Sequence, residues 1–271
     1  MTDGEDPVTV EEQARRDREL FDRIAHDYCR KDQLPAHRRA RELRLLQTLR
    51  HAELDPSGDL LEIGCGAGFA AGYLRDRYRS YRGIDHSSEL VDLANSINGG
   101  PGITFETADA ETFSIDRRFD LIFMIGVLHH LSDPAATLRH LTGLLKPDGR
   151  IVVNEPQNGN PLIQLARGVR KKTDTHYSED QTVYSGKDLR AIFSDAGCEV
   201  VKLVPQGLLS TPFAEVAMPA QALMTPLSSL TCAVDRTLES GFPRLLGYLS
   251  WNLIAIGTPI TRPTTRGMGM R

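Results

Sequence analysis

From residue 59 onward, short apolar runs alternate with stretches whose apolar positions recur at helical spacing. The runs are 59–63 (DLLEI), 80–84 (SYRGI), 103–106 (ITFE), 119–125 (FDLIFMI) and 150–154 (RIVVN). This alternation predicts an α/β fold, a parallel sheet with helices on both faces. The punctuation agrees with it. Asp133 followed by Pro134 offers a capping carboxylate and a proline at the first helical position. Residues 146–149 (KPDG) predict a turn from that helix into the next strand, and Ser185 with Asp188 has capping-box spacing at the head of another helix. Two later runs, CEVVKLV from Cys198 and LSWNLIAIG from Leu249, complete the pattern.

The flanking segments read differently. Before the first strand, Phe21, Ile24 and Tyr28 recur at helical spacing among polar residues. Between the last two strands lies 205–234, whose only charge is Glu215 and whose Pro205, Pro212, Pro219 and Pro226 are expected to prevent one long helix. So apolar a segment is expected to line a pocket, form a dimer face or touch a membrane surface, in that order.

Composition narrows the setting. The chain has 271 residues, 40% hydrophobic and 25% charged, and a net charge of -4, which suits one elaborated globular domain without a bulk pull toward nucleic acid. No apolar run reaches the roughly 20 residues of a spanning helix, and the charged start lacks a signal-peptide core, so a cytoplasmic setting is expected. The four cysteines are scattered without a C-x-x-C pair, so neither a metal site nor a disulfide framework is expected.

The chemistry centres on LLEIGCGAGF, residues 60–69. Gly64, Gly66 and Gly68 follow G-x-G-x-G, and Phe69 stands where a dinucleotide turn wants its third glycine. Glu62, just before the turn, would repel a pyrophosphate and suits a cationic ligand. About 20 residues further on, Asp85 closes the second strand, where a carboxylate can take both hydroxyls of a ribose. Taken singly, each has a bland alternative: a tight turn for the glycines, or a helix cap for Asp85. Together they specify a nucleoside without specifying phosphate.

These residues resemble a class I S-adenosylmethionine (SAM)-dependent methyltransferase of the ubiquinone/menaquinone-type small-molecule branch, over about 59–156 and more loosely over 185–204 and 249–259. The resemblance implies a Rossmann-like, seven-stranded, mostly parallel sheet. It divides the chain into an N-terminal helical lid (1–57), a SAM-binding core (58–204), an apolar cap insertion (205–248), and the last strand with a tail (249–271). It further implies that Gly64, Cys65, Gly66 and Gly68 face the methionine part of SAM, with Glu62 near its ammonium and Asp85 on the ribose. His86 would flank the adenine, Asp109 and the Ala110 amide would read its edge, and Ile125 and Gly126 would line the methionine pocket.

Of the two histidines facing the acceptor in such proteins, His130 is the preferred general base and His129 the other candidate, each with an ordinary backbone-bonding role as its alternative. Glu155, closing the fifth strand, is expected to face the cleft and hold the acceptor or take a proton from carbon. Phe21 and Tyr28 would close the lid, and 157–186 would form a second one bearing His176, Tyr177 and Tyr184.

Two basic clusters, one with Arg38, Arg39, Arg41 and Arg44 and one with Arg167, Arg170, Lys171 and Lys172, suggest an amphiphilic acceptor with an anionic head. The expected function is base-assisted O- or C-methylation of a small metabolite. A SAM-binding protein without catalysis and a nucleotide-dependent oxidoreductase are the alternatives. The expected partners are the small-molecule acceptor, no nucleic acid, and no membrane beyond peripheral contact; a homodimer is left open.

Overall fold

The seven strands lie in one sheet of order β3-β2-β1-β4-β5-β7-β6, in a computed structural model that describes residues 10–53, 57–161, 164 and 183–260. They are β1 (Asp59–Ile63), β2 (Ser80–Asp85), β3 (Ile103–Thr107), β4 (Phe119–Ile125), β5 (Leu145–Pro156), β6 (Cys198–Gln206) and β7 (Asn252–Pro259). The first five pair in parallel, and β7 runs antiparallel between β5 and β6. The expected Rossmann-like, mostly parallel sheet of seven strands is what the chain forms. Its middle strands are buried on both faces, which is why β1 and β4 read as continuous apolar runs.

The helices are α1 (Val10–Gln33), α2 (Pro35–His51), α3 (Phe69–Tyr73), α4 (Ser88–Asn98), α5 (Pro134–Thr142), α6 (Gly186–Asp195), α7 (Thr211–Glu215), α8 (Gln221–Gly241) and α9 (Pro243–Leu249). Pro35 cannot continue α1 and instead opens α2. Asp133 caps α5 through the Ala136 amide, and Ser185 with Asp188 forms the reciprocal capping box of α6. One core cluster fills one face of the sheet around Phe119, Ile122, Leu138, Ile151 and Phe193. A second fills the other around Leu49, Leu60, Tyr81, Phe123 and Ile254.

One local expectation needs correction. Residues 146–149 do not stand outside the strand as a turn: they lie within β5 as an irregularity, where pairing jumps from Phe119 with Leu145 to Leu121 with Arg150. The prolines keep 205–234 from being one long helix: α7 ends at Glu215, and α8 begins only at Gln221 and runs on through Pro226. The insertion therefore folds as α7, α8 and α9, with α2 packed against α7 and α8. The outer side of α8 exposes Leu223, Leu227, Leu230 and Val234. Among the described residues no helix is long and apolar enough to cross a membrane.

Candidate functional site

The carboxyl ends of β1, β4 and β5 open into a cavity of about 820 Å³, roofed by α1, α2 and α7. At the β1 end the chain leaves the sheet through Gly64, Gly66 and Gly68, all at positive φ. A side chain at Gly64 would strike Val127 and one at Gly68 would strike Phe105 and Ala94, whereas one at Gly66 would meet only Tyr28, at 3.8 Å. The first and third glycines thus serve close packing. The middle one leaves its backbone open to the cavity.

Asp85 fixes this turn. Its Oδ2 accepts the Gly66 amide at 2.8 Å and its Oδ1 the Ser87 amide at 3.0 Å. It is not the helix cap, since Ser87 caps α4 through the Leu90 amide. Glu62 is buried on the cavity wall and accepts a hydrogen bond from Tyr81. Burial, with the carboxylates of Asp85 and Asp32 adding to it, pushes Glu62 up to about 8 despite the Tyr81 hydroxyl. A carboxyl so raised is one that a cationic ligand would return to its charged form.

After β4, Ile125 and Gly126 line the cavity and a short 3₁₀ turn (Leu128–His130) brings both histidines to it. His129 Nδ1 lies 2.6 Å from Glu155 Oε2, and its Nε2 is buried without a hydrogen-bond partner. A carboxylate on Nδ1 selects the tautomer with its proton there, so Nε2 carries the lone pair. Glu155 corrects the sequence expectation: it is completely buried and does not line the cavity. Its Oε1 accepts the Val127 and Leu128 amides at 2.8 and 2.7 Å, so it positions the histidine turn rather than meeting an acceptor. His130 is more exposed, and its Nδ1 lies 3.2 Å from Asp17 of α1.

Phe21 of α1 packs edge-on against His86 at 5.5 Å and His130 at 5.6 Å. His86 Nε2 is buried without a partner. Asp109 Oδ1 accepts the Glu111 amide, and Ala110 packs on the core. The cavity wall includes Phe21, Tyr28, Arg41, Glu62, Gly64, Cys65, Gly66, Ile125, Gly126, His129 and His130, and leaves out Gly68, Asp85, His86, Asp109 and Ala110. Tyr184 is away from it too: its hydroxyl reaches the Leu128 carbonyl at 3.3 Å within the core. His176, Tyr177 and the second basic cluster lie outside the described residues.

The first basic cluster divides. Arg38 and Arg39 are exposed and away from the cavity, with Arg39 held by Glu42 and Ser229, so neither faces an acceptor there. Arg41 does line the cavity, but it donates to Asp32 at 2.7 Å, to the Ala214 carbonyl at 3.1 Å and to Tyr28 at 3.4 Å. It clamps α1, α2 and α7 together. Sequence reasoning missed Asn154, Gln206, Thr211, Trp251 and Asn252, which also line the cavity. They come from the ends of β5, β6 and β7 and from the insertion, and no motif marks them.

A family profile described as a methyltransferase domain matches residues 35–203. A trans-aconitate 2-methyltransferase of Enterobacter sp. is 33% identical over 57% of this chain and 62% of its own length. A 37.1 kDa protein in transposon TN4556 of Streptomyces fradiae is 27% identical over 86% of this chain and 72% of its own. Of the first of these two relatives the chain spans less than two thirds. Among solved structures, a SAM-dependent methyltransferase from Thermotoga maritima has a TM-score of 0.61 at 20% identity, covering 89% of this chain and 98% of that one. Magnesium protoporphyrin IX methyltransferase from Synechocystis, with bound SAH, has a TM-score of 0.58 at 15% identity, covering 91% and 99%.

Proposed function

The chain belongs to the class I SAM-dependent methyltransferases, with SAM as its cofactor, and on that premise we propose that it methylates a small, anionic and amphiphilic acceptor whose proton His129 removes. One observation carries the choice of base: His129 lines the cavity with its Nδ1 held by Glu155 and its Nε2 buried and unpartnered. An imidazole fixed at one nitrogen and free at the other is built to accept a proton.

The residues present fit the cofactor. Glu62, raised by burial, suits the ammonium group, and the Gly66 backbone is open to the methionine part. Asp85 holds that turn and has lone pairs left for a ribose. His86, with its orphaned Nε2, and Asp109 would serve the adenine. Bound SAM supplies a methyl group on a positively charged sulfur, already activated for transfer.

The chain's own work is to align the acceptor and take its proton. His129 accepts that proton at Nε2 from a hydroxyl or an acidic carbon, and Glu155 keeps the ring in place. His130, its ring 4.1 Å from that of His129, ties α1 to the site through Asp17. The cavity lies in the upper part of the usual range for ligand sites, roughly 300–1,000 Å³, which suits a cofactor and a second molecule together. The trans-aconitate 2-methyltransferase among its relatives supports an anionic acceptor. The proposed division of labour follows the four expected segments, with 1–57 as lid, 58–204 as SAM core, 205–248 as acceptor cap and 249–271 as closing strand and tail.

Incubation with SAM bearing a deuterated methyl group and a panel of hydroxylated carboxylic acids tests the reading. A labelled product that is lost in His129→Asn supports it. SAM binding without turnover of any panel member leaves the alternative, a SAM-binding protein without catalysis.

A further inference from the structure

Arg44 is a buried cation with little to hold it. It is 9% exposed, lines the cavity, and spends one guanidinium nitrogen on Asn252 Oδ1 at 3.3 Å. Among the described residues no carboxylate lies within 4.0 Å of it, in contrast to Arg41 with its Asp32. Burial lowers Arg44 below its ordinary value, and Glu215, Glu239 and Asp235 offset this only from a distance. Two of those three are already engaged. Asp235 accepts the Leu208, Leu209 and Ser210 amides, and Glu239 accepts the Gly207 amide at 2.7 Å.

Beside Arg44 stands a hydroxyl without a hydrogen-bond partner. Thr211 is 2% exposed and lines the cavity, and its Oγ1 is buried with no hydrogen bond. Gly207 brings the two together. It holds φ +78, and a side chain there would collide with Thr211 Oγ1 and sit 3.2 Å from an Arg44 nitrogen. The backbone is thus pared down where a guanidinium and a hydroxyl face one another. Beneath them, Thr48 and Gln206 both donate to the Arg44 carbonyl at 3.0 Å, and Asn154 donates to Gln206 at 2.8 Å, which fixes the helix to the sheet.

We propose that Arg44 and Thr211 form the subsite that receives the carboxylate of the acceptor, a deepening that rests on the methyltransferase reading. A planar carboxylate matches the guanidinium fork, and the threonine hydroxyl donates a further bond. The surrounding wall, Leu45, Pro212, Ala214, Val216 and Trp251, is apolar and takes the acceptor's body. Asn252, the partner of Arg44, opens β7, two strands along from β4, which delivers His129. Two strand spacings are about 10 Å, so the carboxylate and the methylated atom are well separated along the acceptor. This is longer than a compact polyacid and suits a hydroxylated fatty or polyketide acid.

The test uses the protein saturated with S-adenosylhomocysteine, with decanoate and decanol as probes and the fluorescence of Trp251, the single tryptophan, as the signal. Decanoate is expected to bind at least tenfold more tightly than decanol. Arg44→Met should erase that preference, and Thr211→Val, which keeps the shape, should reduce it about threefold, with S-adenosylhomocysteine affinity unchanged in both. The valine variant carries the test if Arg44→Met does not fold. Equal binding of the two probes, failure of decanoate to bind, or a preference that survives both substitutions overturns the subsite. Loss of S-adenosylhomocysteine binding by the wild-type protein would instead overturn the methyltransferase reading.

Discussion

His129 and Glu155 stand 2.6 Å apart, one on the cavity wall and the other buried beneath it, and the same carboxylate also takes the two amides that open the histidine turn. One group therefore sets both the loop and the ring. His129→Asn should lower kcat about 100-fold while SAM affinity changes less than about threefold. Glu155→Gln should lower kcat less and also broaden the thermal transition, because a neutral amide keeps one acceptor oxygen for three donors. Steady-state kinetics, calorimetric titration with SAM and thermal melting separate the two effects. If His130→Asn is the more damaging histidine change, the base is His130.

Asp85 binds the Gly66 amide, so its removal loosens the glycine turn besides vacating the ribose side. Asp85→Ala should weaken SAM binding at least about tenfold, the loss of one or two hydrogen bonds to a charged group. Calorimetry on a variant with a wild-type melting profile measures this, and unchanged affinity would remove Asp85 from the cofactor site.

Glu62 gives a pH signature. Its folded value of about 8 lies above its ordinary 4.5, so the folded state holds a proton that the unfolded state has released. This contribution is fully present below 4.5 and is lost as pH rises through 8. Stability of the ligand-free protein should therefore fall across that window, by at most about 1.4 kcal/mol per pH unit. Glu62→Gln should remove that slope. A cation at Glu62 favours the ionised form, so SAM binding at pH 7 should release up to one proton in the wild type and none in the variant. Titrations in buffers of different ionisation enthalpy count it.

Asp59 sits at the opposite end of β1, where Arg79, Arg117, Lys146 and Ser80 converge on its carboxylate. These partners hold it below its ordinary 3.8 despite its burial. Its stabilisation is complete above 3.8 and is lost as pH falls through the lower folded value. Asp59→Asn should cost about 2 kcal/mol, discounted because Arg79 and Arg117 are largely exposed, and should move the acid-unfolding midpoint upward. Circular dichroism across the acid range measures both.

Much of the fold was legible because its signals are local. Residues 59–63 and 119–125 are strands at the bounds read from their apolar runs, and Asp133 and Ser185 cap the helices they precede. Positions 62, 64, 66, 85 and 129 come together because strand order in a parallel sheet carries successive loops to one edge. Glu155 was misjudged because a carboxylate at a strand end looks the same from sequence whether it faces solvent or folds inward onto amides. Arg41 and Arg44 look equivalent along the chain. Only the fold, which sets Asp32 on Arg41 and brings Gly207 and Thr211 from far along the chain to Arg44, makes one a clamp and leaves the other without a carboxylate.

Gln206 ends β6 and Asn252 begins β7, and the two are register partners across the antiparallel pair. Everything between them, α7, α8 and α9 with Thr211 and Trp251, is therefore one closed excursion that leaves and rejoins the sheet at a single rung. The excursion still reaches back into the core, since α2 packs on α7 and α8 and Arg41 donates to the Ala214 carbonyl. Under the proposed reading, the apolar wall of the acceptor pocket is carried largely by this one excursion, while Arg44 of α2 and His129 meet it from the core.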